Sequence, residues 1–265
     1  MSRVATSLIV SLFASTALGP ALAADWPMGN EPSFRPAYPV DTYPMDGSLD
    51  FEAGLRYFYG MGGQSFGSSG GSARDTSHAL EVHGRINDHS TSTYLKGHIG
   101  YGSITDGEYR PVGTSYNIGR VGYINADFGY LPLASDSFSA GAFLGYMYTD
   151  ESPENVGLIT HGLRLGIAAK AGINDVFDIN AEAAIIPYTN TTGSMTNGGA
   201  TISDVSGGLY GASGEVLAGF HASDTFIIRA GVRATYLNGH VSSDQGEQYV
   251  EMFRWGPLVE LTATF

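Results

Sequence analysis

Few residues in this chain could carry bond-breaking chemistry. There is no Cys, so a thiol nucleophile, a disulfide and a thiolate metal site are excluded. Ser77-His78, with Asp75 close by, and His240 with Ser242 offer the residue types of a hydroxyl nucleophile and its base. Asp88-His89 is a further acid–histidine pair, and His83 and His98 fall on the polar faces of neighbouring extended segments. A catalytic or metal role needs several such groups to converge at fixed geometry, and no third His or acid converges in the sequence, so catalytic, cofactor and metal residues are all expected to be none. The Gly-rich run Gly60–Gly71 follows an extended segment but lacks the helix that a phosphate-cradling loop requires, and reads as a surface loop.

More of the chemistry lies in charges placed at alternate positions. Asp50, Glu52 and Arg56 face away from Leu49, Phe51, Ala53, Leu55, Tyr57 and Tyr59. Arg229 and Arg233 oppose Phe226, Ile228, Ala230, Val232, Ala234 and Tyr236, and Arg254 and Glu260 oppose Phe253, Trp255, Pro257, Val259, Leu261, Ala263 and Phe265. A two-residue period is that of a strand with one apolar face. Ten such segments occur, near 48–60, 78–87, 91–103, 116–131, 138–149, 158–172, 177–189, 208–221, 226–238 and 249–265. Each reaches the roughly 9–11 residues that a tilted strand needs to cross a bilayer.

The connections alternate in kind. Asn87-Asp88, Ser135-Asp136, Asn174-Asp175 and Ser223-Asp224 suit tight turns, because their side chains bond nearby backbone. Between them lie longer Gly-, Ser- and acid-rich stretches at 61–77, 104–115, 150–157, 190–207 and 239–248, expected as loops. Aromatics collect near the turns (Phe128, Tyr130, Phe138, Phe177, Phe220, Phe226) and again near the loops (Tyr57, Tyr101, Tyr146, Tyr148, Tyr236, Trp255), with aliphatics between. Two aromatic belts around an aliphatic band fit two lipid–water interfaces. The expected fold is all-β, a ten-stranded antiparallel up-and-down transmembrane barrel, with eight strands the alternative.

The inward charges form one set: Asp50, Glu52, Glu81, Asp127, Asp178, Glu182, Glu215 and Glu260 against Arg56, Arg85, Lys96, Arg164, Lys170, Arg229, Arg233 and Arg254. Acids and bases balance, so an ion-pair network filling a narrow lumen is expected. A two-residue turn at Asp88-His89 would set Glu81 opposite Lys96 and His83 opposite Tyr94, leaving His83 and His98 several rungs apart. A three-residue loop at 223–225 would set Glu215 opposite Arg233. Arg120 falls on the outward face, and must reach the headgroups or be turned inward by a bulge near Gly119–Gly122.

The remaining features concern location. Arg3, the apolar run Val4–Leu18 and Ala21-Leu22-Ala23 read as a signal peptide over 1–23. Its removal would leave 12 Lys+Arg against 26 Asp+Glu, a balance that excludes nucleic acid as a partner. Residues 24–47, with Pro27, Pro32, Pro36, Pro39 and Pro44, read as an irregular periplasmic segment that either trails from the barrel or plugs it; 48–265 is the barrel. Acids in the long stretches (Asp106, Glu108, Asp150, Glu151, Glu154, Asp244, Glu247, Glu251) form an anionic crown that divalent cations could bridge to lipopolysaccharide.

The terminal Phe265, preceded at alternate positions by Ala263, Leu261 and Val259, resembles the C-terminal signature of small Gram-negative outer-membrane barrels, porin-like or OmpA-like. That resemblance implies outer-membrane lipid and lipopolysaccharide as surroundings, and the assembly machinery as a partner reading Phe265. It implies a non-enzymatic envelope protein, with a narrow solute channel or a rim hydrolase as alternatives. Ten strands also resembles the omptin proteases, whose paired-aspartate and Asp-His dyads would need Asp-x-Asp and Asp-x-His; neither occurs here.

Overall fold

The computed structural model describes residues 49–67, 71–135, 137–154, 156–197, 200–244 and 246–265; side chains are described outside 195–202. The segments 1–23 and 24–47 lie outside the described residues. The described chain forms one antiparallel sheet: β1 (Leu49–Phe66), β2 (Ser72–Asp88), β3 (Thr93–Arg110), the three-residue β4 (Thr114–Tyr116), β5 (Gly119–Ser135), β6 (Phe138–Pro153), β7 (Val156–Gly172), β8 (Phe177–Asn197), β9 (Ala200–His221), β10 (Phe226–Ser243) and β11 (Gly246–Thr264). Each long strand pairs with its sequence neighbours, and β1 pairs with β11, which closes an up-and-down barrel of ten long strands. The backbone of Phe265 exchanges hydrogen bonds with Phe51, at 2.9 and 3.3 Å.

The turns form as their side chains dictate. Asn174 Oδ1 accepts from the backbone N–H groups of Val176 and Phe177, and Ser223 Oγ from those of Thr225 and Phe226. Arg233 consequently lies opposite Glu215, as the 223–225 loop requires. The β2–β3 turn departs from expectation. Asp88 Oδ1, rather than Asn87, accepts from the Ser90 N–H at 2.9 Å, and Asp88 pairs with Thr93 across a four-residue turn that includes Ser92 at φ 55°. The register therefore shifts, so that Glu81 sits opposite Gly100, Arg85 opposite Lys96, and His83 directly opposite His98. The two histidines are neighbours, contrary to the sequence expectation.

The second departure concerns the loops. Most of 61–77, 104–115, 150–157, 190–207 and 239–248 is strand, and the long strands reach 16 to 22 residues. That is about twice the 9–11 needed to span a bilayer, so the barrel continues well past the lipid on the loop side. The apolar alternation reverses there. Along β11, Val259, Trp255 and Phe253 point outward, whereas beyond them Met252 and Val250 point inward. β10 does the same after Tyr236, with Leu237 and Val241 inside, and β9 after Tyr210, with Leu209 and Val205 inside. Together with Phe66, Met147, Leu158 and Ile186 these side chains fill the outer part of the lumen as an apolar core. Outward positions at this level are polar, such as Asp204, Ser206, His240 and Ser242. The rule at every level is the same: apolar groups face whatever is not water, which is lipid in the membrane zone and the barrel interior above it.

Candidate functional site: the lumen

Below the apolar core the exterior carries exposed Leu80, Val82, Ile99, Leu144, Ile167 and Ile185, bounded by the exposed rings of Phe128, Phe177 and Phe226 at the turn end and Tyr57, Tyr101 and Trp255 at the other. Exposure of so much contiguous apolar surface is stable only against lipid. The charges are inside. Arg229 bonds Glu260 at 2.7 Å and Glu52 at 3.3 Å, with Asp178 at 3.6 Å. Glu260 is shared with Arg56 at 2.6 Å, and Arg56 also reaches Glu215 at 3.4 Å. Arg233 joins Glu215 at 2.8 Å to Glu81 at 2.6 Å, crossing the lumen. Beside this chain, Arg164 lies 3.1 Å from Glu182 and 3.6 Å from Asp127, and Lys96 bonds Glu182 and lies 4.0 Å from Asp127. Buried ions persist only where partners replace their hydration, and here each anion of the network meets at least one cation.

Three of the residues expected in this network sit differently. Asp50 is exposed at the turn-side mouth, where it bonds His89 at 2.8 Å. Arg85 stacks over Tyr94 at 4.4 Å and donates to Asn87 at 2.6 Å. Lys170 lines the same mouth. Two acids belong to the network that the sequence assigned elsewhere: Arg254 binds Asp75 at 2.8 Å and Glu151 at 3.1 Å, all three buried. Both acids lie in stretches expected as loops, so the eight-against-eight balance gains two acids and the anionic crown loses Glu151. Strand parity carried past residue 149 on β6, and back to 75 on β2, would have found them.

Packing explains the glycines beside these groups. A Cβ on Gly145 would lie 1.9 Å from Asp127 Oδ1, and one on Gly129 would lie 2.1 Å from the Tyr94 ring. Large inward side chains lie across glycines of the next strand, so the charged layer is dense. Two small cavities remain within it, about 40 Å³ beside Tyr123, His98 and Ser213, and about 50 Å³ beside Arg56, His83 and Arg229. Each holds only a few waters, at roughly 10–15 Å³ apiece. The Tyr123 hydroxyl, His98 Nδ1 and Ser213 Oγ are buried there without a protein partner.

The candidate catalytic residues do not assemble. Ser77 points inward onto Arg254 at 3.0 Å, whereas His78 points outward between Tyr57 and Tyr59 and bonds the Tyr57 hydroxyl. Adjacent strand residues face opposite sides, so these two cannot form a dyad. Asp75 is held by Arg254 and Tyr116, and His240 packs edge-on to Tyr249. Arg120 is exposed on the outer surface and bonds Asp150 at 2.9 Å, with unbroken pairing through Gly119–Gly122, so it reaches the loop-side interface and is not turned inward.

No protein-family model matches the chain, and no curated protein matches it. Among solved structures it is similar to the outer membrane protease OmpT from Escherichia coli, at 11% identity and a TM-score of 0.58, over 83% of this chain and 98% of that one. It is also similar to the outer membrane protein OprG from Pseudomonas aeruginosa (12% identity, TM-score 0.36, 82% and 96% covered) and to Neisserial surface protein A (11%, 0.35, 82% and 97%). At such identities the likeness is one of fold, and the OmpT comparison carries it. Closed topology, lipid-facing exterior and charged interior define a ten-stranded transmembrane β-barrel, the fold it shares with OmpT.

Proposed function

We propose that the protein is a non-enzymatic outer-membrane barrel that supports the envelope and presents a rigid surface, with its lumen closed. The single observation that carries this reading is the stacking of two different seals. The ion network fills the membrane zone, and above it Leu158, Leu209 and Val250 are buried to 0% exposure inside the apolar core. An ion would lose its hydration twice in succession to pass. Against a rim hydrolase stands the separation of Ser77 from His78 and the capture of Asp75 by Arg254.

The surroundings follow from the exterior. Arg74, Arg110 and Arg120 are exposed at the loop-side ends of the adjacent strands β2, β3 and β5, a position suited to lipopolysaccharide phosphates. The exposed Phe265 ends the strand proposed to be read by the assembly machinery. Proteoliposomes carrying the purified protein test the reading: they should not swell in isosmotic solutions of small sugars, and should not cleave fluorogenic peptides or release acyl chains from lipid A. Swelling at porin-like rates would favour the channel; hydrolysis lost on His78→Ala would favour the enzyme.

A further inference from the structure

The turn-side mouth opens into a cavity of about 430 Å³, within the size range of small-molecule sites. Its walls are contributed by β1–β3, β5–β9 and the turns between them, and its inner end is the charged layer. Charge within it is unevenly satisfied. Asp178 bonds His221 at 2.8 Å and lies 3.6 Å from Arg229. Asp50 bonds His89 at 2.8 Å, Asp88 accepts from Ser90 and Thr91, and the fourth acid, Asp175, lies exposed in the turn after β7. The cations are otherwise. Among the described residues, every lumen Arg or Lys has a carboxylate within 4.0 Å except Arg85 and Lys170. These two line both this cavity and the smaller one beneath it. Glu52 sits opposite Arg85 across β1–β2; its carboxylate is bonded to Arg229 and reaches Arg85 and Lys170 only at longer range, across the cavity that all three line. Arg85 is held by Tyr94 beneath its guanidinium plane and by Asn87 at Nε. A guanidinium fixed in this way, with an ammonium lining the same cavity, is a preorganised receptor for a planar or tetrahedral oxyanion.

We propose that this vestibule is a binding site for a small solute bearing an oxyanion, with Arg85 and Lys170 contacting the anionic group and Ser92, Ser137 and Ser139 lining the space for the remainder. The site is a blind pocket reached from the turn side, and it does not require the barrel to conduct.

Calorimetric titration of the detergent-solubilised full chain at constant ionic strength tests this, with inorganic phosphate and succinate as separate anionic probes and glucose as the neutral one. Saturable binding of phosphate, succinate or both is expected, and whichever binds more tightly tells phosphate-bearing from carboxylate-bearing ligands. Glucose should not bind. Arg85→Gln and Lys170→Gln should each weaken binding roughly tenfold, the effect of losing one charge-assisted hydrogen bond. Asp204→Asn, on the outer face at the loop-side end of β9, should leave it unchanged. The heat-dependent gel shift of a folded barrel reports folding of each variant, and Lys170→Gln, at a half-exposed position, keeps the test open should Arg85→Gln fail to fold. Absence of saturable binding by either anion, or wild-type affinity in a folded Lys170→Gln protein, would overturn the proposal.

Discussion

Arg254 illustrates what a single residue does in this lumen. Its guanidinium holds Asp75 and Glu151, which come from strands β2 and β6. Removing one member of a buried ion group leaves the others charged and unsolvated, at a cost of about 3–5 kcal/mol. Arg254→Met should lower the stability by that amount in urea unfolding from lipid vesicles, and Asp75→Asn with Glu151→Gln should recover most of it. A loss below about 1 kcal/mol, the size of an exposed pair, would show that these acids are solvated. Asp88 offers the opposite case, an exposed turn residue. Hydrogen bonds from the Ser90 side chain, and then from Thr91, hold its carboxyl below the usual carboxylate range. The anion is therefore the form that the folded turn prefers. Its contribution is complete above the ordinary carboxylate pKa and is lost as pH falls through the lowered value. The Ser90 and Thr91 amide resonances should titrate with a midpoint below that of an unstructured Asp. A midpoint at the ordinary value would refute the capping role.

At the scale of strands, the phase reversal above the aromatic belt is the feature that organises the outer half. Leu209 lies fully buried among Ile186, Leu237 and Val241, and its truncation to Ala should cost about 2–5 kcal/mol, read as a lower unfolding midpoint, because a packed site collapses incompletely. An unchanged midpoint would mean that the outer interior is wet. In the membrane zone, Gly129→Val would drive a branched side chain into the Tyr94 ring and should cost about 1–3 kcal/mol by the same assay.

These elements also show what was legible in the sequence. Alternation held over the membrane zone because lipid and lumen differ sharply in polarity, so strand number, belts and most inward charges could be read directly. The ladder beyond the belt was hidden. Its outer face is polar and its strands carry Gly, Ser and acids, a composition shared with loops. The sign change between Trp255 and Val250 on β11 was the available signal, and Asp75 and Glu151 were misplaced for want of it. Register at the β2–β3 turn turned on which of two neighbouring side chains caps it. Asn87 and Asp88 are both competent, and Asp88 capping moved His83 opposite His98.

For the whole molecule, the two seals in series distinguish a closed barrel from a pore. The membrane zone alone would leave an ion-lined lumen, and such a lumen conducts wherever water threads it. In the proposed reading the apolar core above removes that path, since Leu158, Leu209 and Val250 offer an ion no replacement for hydration. A barrel built in this way presents both mouths as blind ends, the inner one lined by Arg85 and Lys170. Single-molecule conductance in planar lipid bilayers tests the closure most directly. Wild-type protein at neutral pH should show no steady current steps, whereas Leu209→Ala combined with Leu158→Ala, which removes apolar bulk from the outer seal, should admit brief openings. Stable ohmic steps from the wild-type barrel would contradict the account.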